Sequence, residues 1–208
     1  MARSKHNGSK MNSDPLMSVA NGVFVLLLSY GMFLYGLISS PVNTLLAFLV
    51  PLLASQYAFA YDKNAAELVS STVFSTVLLP VFALMIVLLG APVTALYSET
   101  LLTACHISYL VLLPLIINYG VDPKIWKAYL QLDLQATGLS THWQYYSSVG
   151  GVVGAYIGAV PISFDWDRDW QRYPITIITG MYIGYGLTKI LCPIEALFRA
   201  KPKSVKKH

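Results

Sequence analysis

Charge is the scarcest commodity in this chain: of 208 residues only 12% are Asp, Glu, Lys or Arg. Soluble domains carry about 25%, so too few polar groups are present to cover a water-facing surface. Cysteine is nearly absent, with Cys105 and Cys192 both inside apolar runs. That excludes a disulfide framework and a thiolate metal site. Histidine occurs only at positions 6, 106, 142 and 208, too few for the paired histidine and arginine motifs of a lipid phosphatase. There is no glycine-rich phosphate loop, no His-Glu-x-x-His and no Gly-x-Ser-x-Gly. A soluble enzyme, a disordered protein and a secreted disulfide scaffold are all excluded.

What the chain has instead is long apolar runs. Hydrophobic residues make up 55% of it, mean hydropathy is +0.56, and six runs reach the length that marks a membrane span. They cover about residues 19–38, 42–60, 68–89, 99–119, 145–163 and 174–194. The expected fold is all-α, a polytopic bundle of six transmembrane helices over 19–194. A polar tail over 1–18 precedes it and a basic tail over 195–208 follows. The first run is too long for a signal-peptide core, and Ser39-Ser40-Pro41 after it is a poor cleavage site, so it reads as a retained helix. No internal repeat suggests a two-halved transporter.

The net charge of +4 does not describe a nucleic-acid groove, because the cations flank the spans. Of the 14 Lys and Arg, all but Arg168, Arg172 and the intrahelical Lys189 fall in segments that six spans place on one side. The positive-inside bias therefore predicts cytosolic termini, with basic residues touching anionic headgroups. On this topology the Asn7-Gly8-Ser9 sequon stays unglycosylated. Within the 120–144 loop, Ile125, Trp126, Tyr129 and Leu130 have the spacing of a short interfacial helix, with a plain loop as the alternative.

Three strongly polar or ionisable side chains fall inside the runs: Glu99, His106 and Lys189. Glu99, Thr103 and His106 are spaced to share one face of the fourth helix, with His106 roughly 10 Å deeper than Glu99. An ionisable group at that depth marks a functional site by default, and a neutral histidine bonded to a neighbouring helix is the structural alternative. Lys189, near the end of the last helix, is expected to snorkel to the surface.

The densest polar constellation is Asp165-Trp166-Asp167-Arg168-Asp169-Trp170-Gln171-Arg172, on the same side as Glu99. Its carboxylates suit a divalent cation or a headgroup amine, and Arg168 suits a phosphate. An interfacial anchor, with Trp166, Trp170 and Tyr173 in the aromatic belt, fits the same residues. Gly150, Gly154 and Gly158 form a small-residue ridge on the fifth helix, matched by Gly180 and Gly184 on the sixth. Such ridges bring helix backbones together, either within the bundle or against a partner.

The run Gly158-Ala159-Val160-Pro161-Ile162-Ser163-Phe164-Asp165-Trp166-Asp167-Arg168-Asp169-Trp170-Gln171, then Tyr173-Pro174-Ile175 and a glycine-rich helix, resembles the signature of the PIG-F family. Gly90-Ala91-Pro92, Glu99-Thr100 and His106 resemble a second stretch found in fungal members. The likeness extends over about residues 19–194. Asp169 stands where proline is frequent and Tyr173 where tryptophan is common, but the Asp165-Trp166-Asp167-Arg168 core is intact. The 120–144 loop is longer than in some relatives.

The resemblance implies a multi-pass protein of the endoplasmic reticulum membrane that acts in glycosylphosphatidylinositol (GPI) anchor synthesis. It implies a non-catalytic subunit that stabilises one or more large GPI-ethanolamine phosphate transferases, near the GPI precursor or phospholipid headgroups. No catalytic residue, metal or cofactor is expected. The alternative from the polar face alone is a stand-alone enzyme, with His106 as base and Glu99 as its orienter, or a carrier, acting on phospholipid headgroups.

Overall fold

The structure, a computed structural model, describes residues 15–60, 62–92, 94–121, 123, 126–127, 143–164 and 166–199. Residues 1–14 and 200–208, with the sequon, most of the 120–144 loop and Asp165, lie outside them, and the inner ends of both expected tails, 15–18 and 195–199, belong to the first and last helices. The described residues are helical, without strands. The helices are α1 (Pro15–Tyr35), α2 (Pro41–Ala58), α3 (Ala65–Val77), α4 (Leu79–Leu88), α5 (Tyr97–Ile107), α6 (Leu113–Tyr119), α7 (Trp143–Ala159) and α8 (Ile175–Arg199).

Local chemistry sets these boundaries. Gly36 ends the α1 segment at φ 120°, a left-handed backbone that glycine adopts without a Cβ penalty. Pro41 then opens α2, where its missing N–H costs nothing. Asn64 caps α3: its Oδ1 accepts the Glu67 N–H at 2.8 Å and its Nδ2 donates to Glu67 Oε1 at 3.1 Å. Pro80 cannot donate to the Thr76 carbonyl, and the helix breaks at Leu78 into α3 and α4. The two still form one apolar stretch, Ala65–Leu88.

A second proline interrupts the next span. Between α5 and α6, residues Ser108–Leu112 form a π-helical turn, in which the Leu113 N–H reaches back to the Ser108 carbonyl. Pro114 follows, so the Leu110 carbonyl loses its usual donor. Neighbouring helices supply side-chain bonds here: Ser148 Oγ donates to the Val111 carbonyl at 2.9 Å, and Ser108 Oγ to the Ser75 carbonyl at 2.7 Å. Hydroxyls of this kind keep irregular backbone satisfied away from water.

The α5–α6 span, Tyr97–Tyr119, is the centre of the bundle, with 78% of its apolar window buried. The α3–α4 span is the outermost, with 17% buried and Val69, Val73, Val77, Leu84 and Leu88 exposed. A bundle whose outer face is apolar has lipid as its solvent. Five spans are long and apolar enough to cross a bilayer: Pro15–Tyr35, Pro41–Ala58, Ala65–Leu88, Tyr97–Tyr119 and Ile175–Phe198. The helix expected as the fifth of six is α7, which has 17 residues before the backbone tightens into a 3₁₀ turn at Val160–Ser163.

Candidate functional site: the polar loop, the histidine and the glycine seam

Helix direction brings the α1–α2 turn, Gly90-Ala91-Pro92 and the loop between α7 and α8 to one end of the bundle. That loop holds the motif residues, and its organiser is Gln171. Gln171 is buried, its Nε2 donates to the Pro161 carbonyl at 2.8 Å and the Phe164 carbonyl at 3.1 Å, and its Oε1 accepts the Arg168 N–H at 3.0 Å. One side chain thus pins three points of the loop. Asp167 adopts φ 46°, a left-handed conformation that aspartate tolerates better than most residues. Arg172 ties the loop to the first turn, donating from Nη2 to the Ile38 carbonyl at 3.2 Å.

Around that frame Trp166, Asp167, Arg168 and Trp170 face outward. Trp166 is 56% exposed and Trp170 38%. Phe164, Trp166 and Trp170 stack in series at centroid distances of 4.9 and 6.1 Å. Asp167 and Arg168 are exposed. The rigid part of the motif is therefore its glutamine and backbone, while the tryptophans and charged groups are presented outward. Beneath the loop, the Tyr173 hydroxyl is buried against Thr100 and Thr103, and burial pushes its phenol up, so it remains an O–H donor.

The Glu99–Thr103–His106 face does not act as one unit. Thr103 Oγ1 donates to the Glu99 backbone carbonyl at 2.7 Å, and the Glu99 side chain is only half-buried. His106 is fully buried. Its Nε2 lies 3.0 Å from the Leu45 carbonyl and its Nδ1 2.7 Å from Tyr182 Oη. A carbonyl can only accept, so Nε2 carries the proton and Nδ1 accepts the Tyr182 hydroxyl. Both nitrogens of the neutral ring are thereby used in joining α5 to α2 and α8. The base-and-orienter pair of Glu99 with His106 is not formed.

Lys189 corrects a sequence expectation. It does not snorkel: it is 8% exposed, its Nζ donates to Gln144 Oε1, and it lies 5.5 Å from the Tyr185 ring centroid. Gln144 in turn donates from Nε2 to Tyr185 Oη at 2.9 Å. The reason is that α1 covers the expected exit, with the Gly22 position against the Lys189 stem and Ser18 Oγ bonded to the Lys189 carbonyl at 3.0 Å. Sequence spacing contains no signal for that third helix.

The glycines form the longest seam in the molecule. Gly150 and Gly154 on α7 meet Gly184 and Gly180 on α8 backbone to backbone, and Gly158 meets the Thr176 carbonyl. A methyl group at any of the five would strike facing backbone. Gly22 of α1 and Gly186 of α8 make a further close approach that the sequence reading omitted. Its signal was faint, because Gly186 lies two residues past Gly184 and so off the four-residue spacing of the seam. Among the described residues no group of three or more His, Cys, Asp or Glu could hold a metal ion.

Fold and site define a class: a small helical membrane protein with a tightly seamed bundle and a polar loop presented at one end. The particular family follows from comparison. The model of the GPI biosynthesis protein family Pig-F matches residues 20–193, and the chain belongs to this family. It is 33% identical to glycosylphosphatidylinositol anchor biosynthesis protein 11 of Yarrowia lipolytica, over 92% of this chain and 94% of that protein. It is 40% identical to the protein of that name from Aspergillus fumigatus, over 57% of this chain but only 38% of the relative. A human relative, 29% identical over 61% of this chain and 58% of its own, is named GPI ethanolamine phosphate transferase, stabilizing subunit. No solved structure matches the chain.

Proposed function

We propose that this protein is a non-catalytic membrane subunit of GPI-anchor biosynthesis, stabilising the transferase that adds ethanolamine phosphate to a mannose of the GPI precursor. The observation that carries this reading is the family match across residues 20–193, joined to the human relative's name as a stabilizing subunit. The site chemistry is in keeping with it. His106 is consumed in structural bonds, which leaves the polar face without a general base. The partner is one or more large catalytic subunits, and the setting is the endoplasmic reticulum membrane in which that pathway runs.

The topology belongs to the same reading: six spans with both termini cytosolic. The 17 residues of α7 give roughly 25 Å of helix, and the four residues of the following 3₁₀ turn add about 8 Å. Together they suffice for a hydrocarbon core of about 30 Å. The loop containing Asp165, Trp166, Asp167, Arg168, Trp170 and Gln171 then faces the lumen. There its charged groups meet headgroups or the partner's lumenal domain, with Trp166 and Trp170 at the interface.

The test is to purify the tagged chain in mild detergent, identify what co-purifies and assay headgroup transfer with and without it. The expected result is a near-stoichiometric large partner and no transfer by the 208-residue chain alone. Transfer by the isolated chain would sink the subunit reading. Arg168→Ala is expected to impair assembly or activity. Wild-type behaviour on both counts would reduce Arg168 to a membrane anchor.

A further inference from the structure

A cleft of about 460 Å³ opens between the start of α3 and the end of α6, at the opposite end of the bundle from the motif loop. Its volume falls in the roughly 300–1,000 Å³ range of ligand sites, and its lining is mixed. Lys63 and Glu67 line it at the start of α3, Ser71 and Phe74 further along that helix, and Ile117 and Asn118 near the end of α6. Glu67, Ser71 and Phe74 stand at i, i+4 and i+7, on one face of α3. The lining therefore passes from charge to hydroxyl to hydrocarbon over roughly 10 Å. A phospholipid presents its own groups in that order.

Several polar groups in the cleft are unspent. Lys63 and Glu67, four residues apart, do not pair with each other, and the Lys63 ammonium has only a loose partner, Asp62 at 3.9 Å. One oxygen of Glu67 accepts from Asn64, which leaves the other. Asn118 donates from Nδ2 to the Pro114 carbonyl at 2.6 Å, which leaves its Oδ1 as an acceptor. Ser71 is only 7% exposed, yet its hydroxyl makes no hydrogen bond among the described residues. Its neighbours Ser70 and Thr72 instead donate to carbonyls of their own helix. A buried hydroxyl left open toward a cleft lacks an acceptor that a guest can bring.

A cation and an anion in one cleft suit a zwitterion. Lys63 takes a phosphate, and the positive N-terminal end of α3 beside it adds to the attraction. Glu67 and the Asn118 Oδ1, at the negative C-terminal end of α6, take an ammonium. A primary ammonium has three N–H donors for these oxygens, whereas a quaternary one has none. A serine headgroup would bring a second carboxylate against Glu67.

We propose that this cleft binds phosphatidylethanolamine from the leaflet opposite the motif loop. The phosphate lies on Lys63, the ammonium on Glu67 and Asn118, and an ester carbonyl accepts from Ser71. The acyl chain of that ester follows Phe74 and Ile117 toward the bilayer. This site goes beyond the subunit reading, because it requires only that the helices sit in a membrane.

The experiment uses the full chain, purified in mild detergent, stripped of co-purified lipid and titrated with single lipids, with bound lipid read by native mass spectrometry. Phosphatidylethanolamine should bind about tenfold more tightly than phosphatidylcholine with the same acyl chains, the effect of one charge-assisted hydrogen bond. Glu67→Gln keeps the oxygen that accepts from Asn64 but should bring the two lipids within about twofold of each other. Lys63→Met should weaken both lipids about tenfold, and Ser71→Ala about threefold. Equal wild-type affinity for the two lipids, or a preference unchanged in Glu67→Gln, would overturn the site. Tighter binding of phosphatidylserine or phosphatidylglycerol would overturn it too, by making the cleft a plain patch for anions. Glycerophosphoethanolamine, the headgroup without acyl chains, should compete only weakly. Competition at the lipid's own affinity would replace the lipid with a soluble compound. If a variant fails to fold, the wild-type preference decides. Partner recovery, scored separately on the wild type, tests the subunit reading independently of lipid affinity.

Discussion

A histidine held at both ring nitrogens inside a bundle acts as a cross-brace, and His106 joins three helices in this way. His106→Leu leaves the Tyr182 hydroxyl unpaired and removes two bonds, so a loss of about 2–4 kcal/mol is expected. Tyr182→Phe should cost about 1 kcal/mol. Unfolding in mixed micelles measures both. A His106→Leu protein that keeps its stability but loses function would return the ring to chemistry. Gln171 and Asp167 can be separated in the same way. Gln171→Ala unties three carbonyl and amide contacts and should abolish loop order, read as new proteolytic cleavage between Phe164 and Tyr173. Asp167 at φ 46° allows a cleaner test. Asp167→Gly restores function if backbone shape is its role and fails if its carboxylate touches a headgroup or partner, whereas Asp167→Ala fails under either. Transfer activity of the assembled complex reads the difference.

At the scale of elements, the α7–α8 seam dominates. Gly154→Leu pushes a side chain into the Gly180 carbonyl and should cost about 3 kcal/mol or more, seen as lost folded protein in detergent. Gly31→Ala is the control: its added methyl meets only the edge of the Phe48 ring at 3.3 Å, and a change within about 1 kcal/mol is expected. The glycine spacing made both seam partners visible in the sequence, because small residues four apart on two apolar helices have few other uses. The π turn at Ser108–Leu112 was not visible. Pro114 signals an interruption, but whether it becomes a kink or a π turn depends on where Ser148 and Ser75 bring their hydroxyl and carbonyl. Those partners lie on other helices.

For the whole molecule, topology is the outstanding expectation. A glycosylation sequon placed in the Trp166–Arg172 loop should be modified, and the sequon at Asn7-Gly8-Ser9 should not, as read by a shift on electrophoresis after deglycosylation. Modification at Asn7 would invert the bundle and put the motif loop in the cytosol. The sequence by itself determined that the chain is an apolar helical bundle, where its long apolar runs lie, and which loop carries the motif. Hydropathy and charge act locally along the chain, and lipid, like a core, rewards each apolar helix separately. Only the tertiary structure decided which helix lies at the centre and which faces outward. It also decided that His106 is spent on Tyr182 and Leu45, that Lys189 is shut in by α1, and that a cleft opens between α3 and α6. Each of these depends on contacts between helices far apart in the chain. A transmembrane helix that is apolar all round has no preferred side until its neighbours bring their small and polar residues against it.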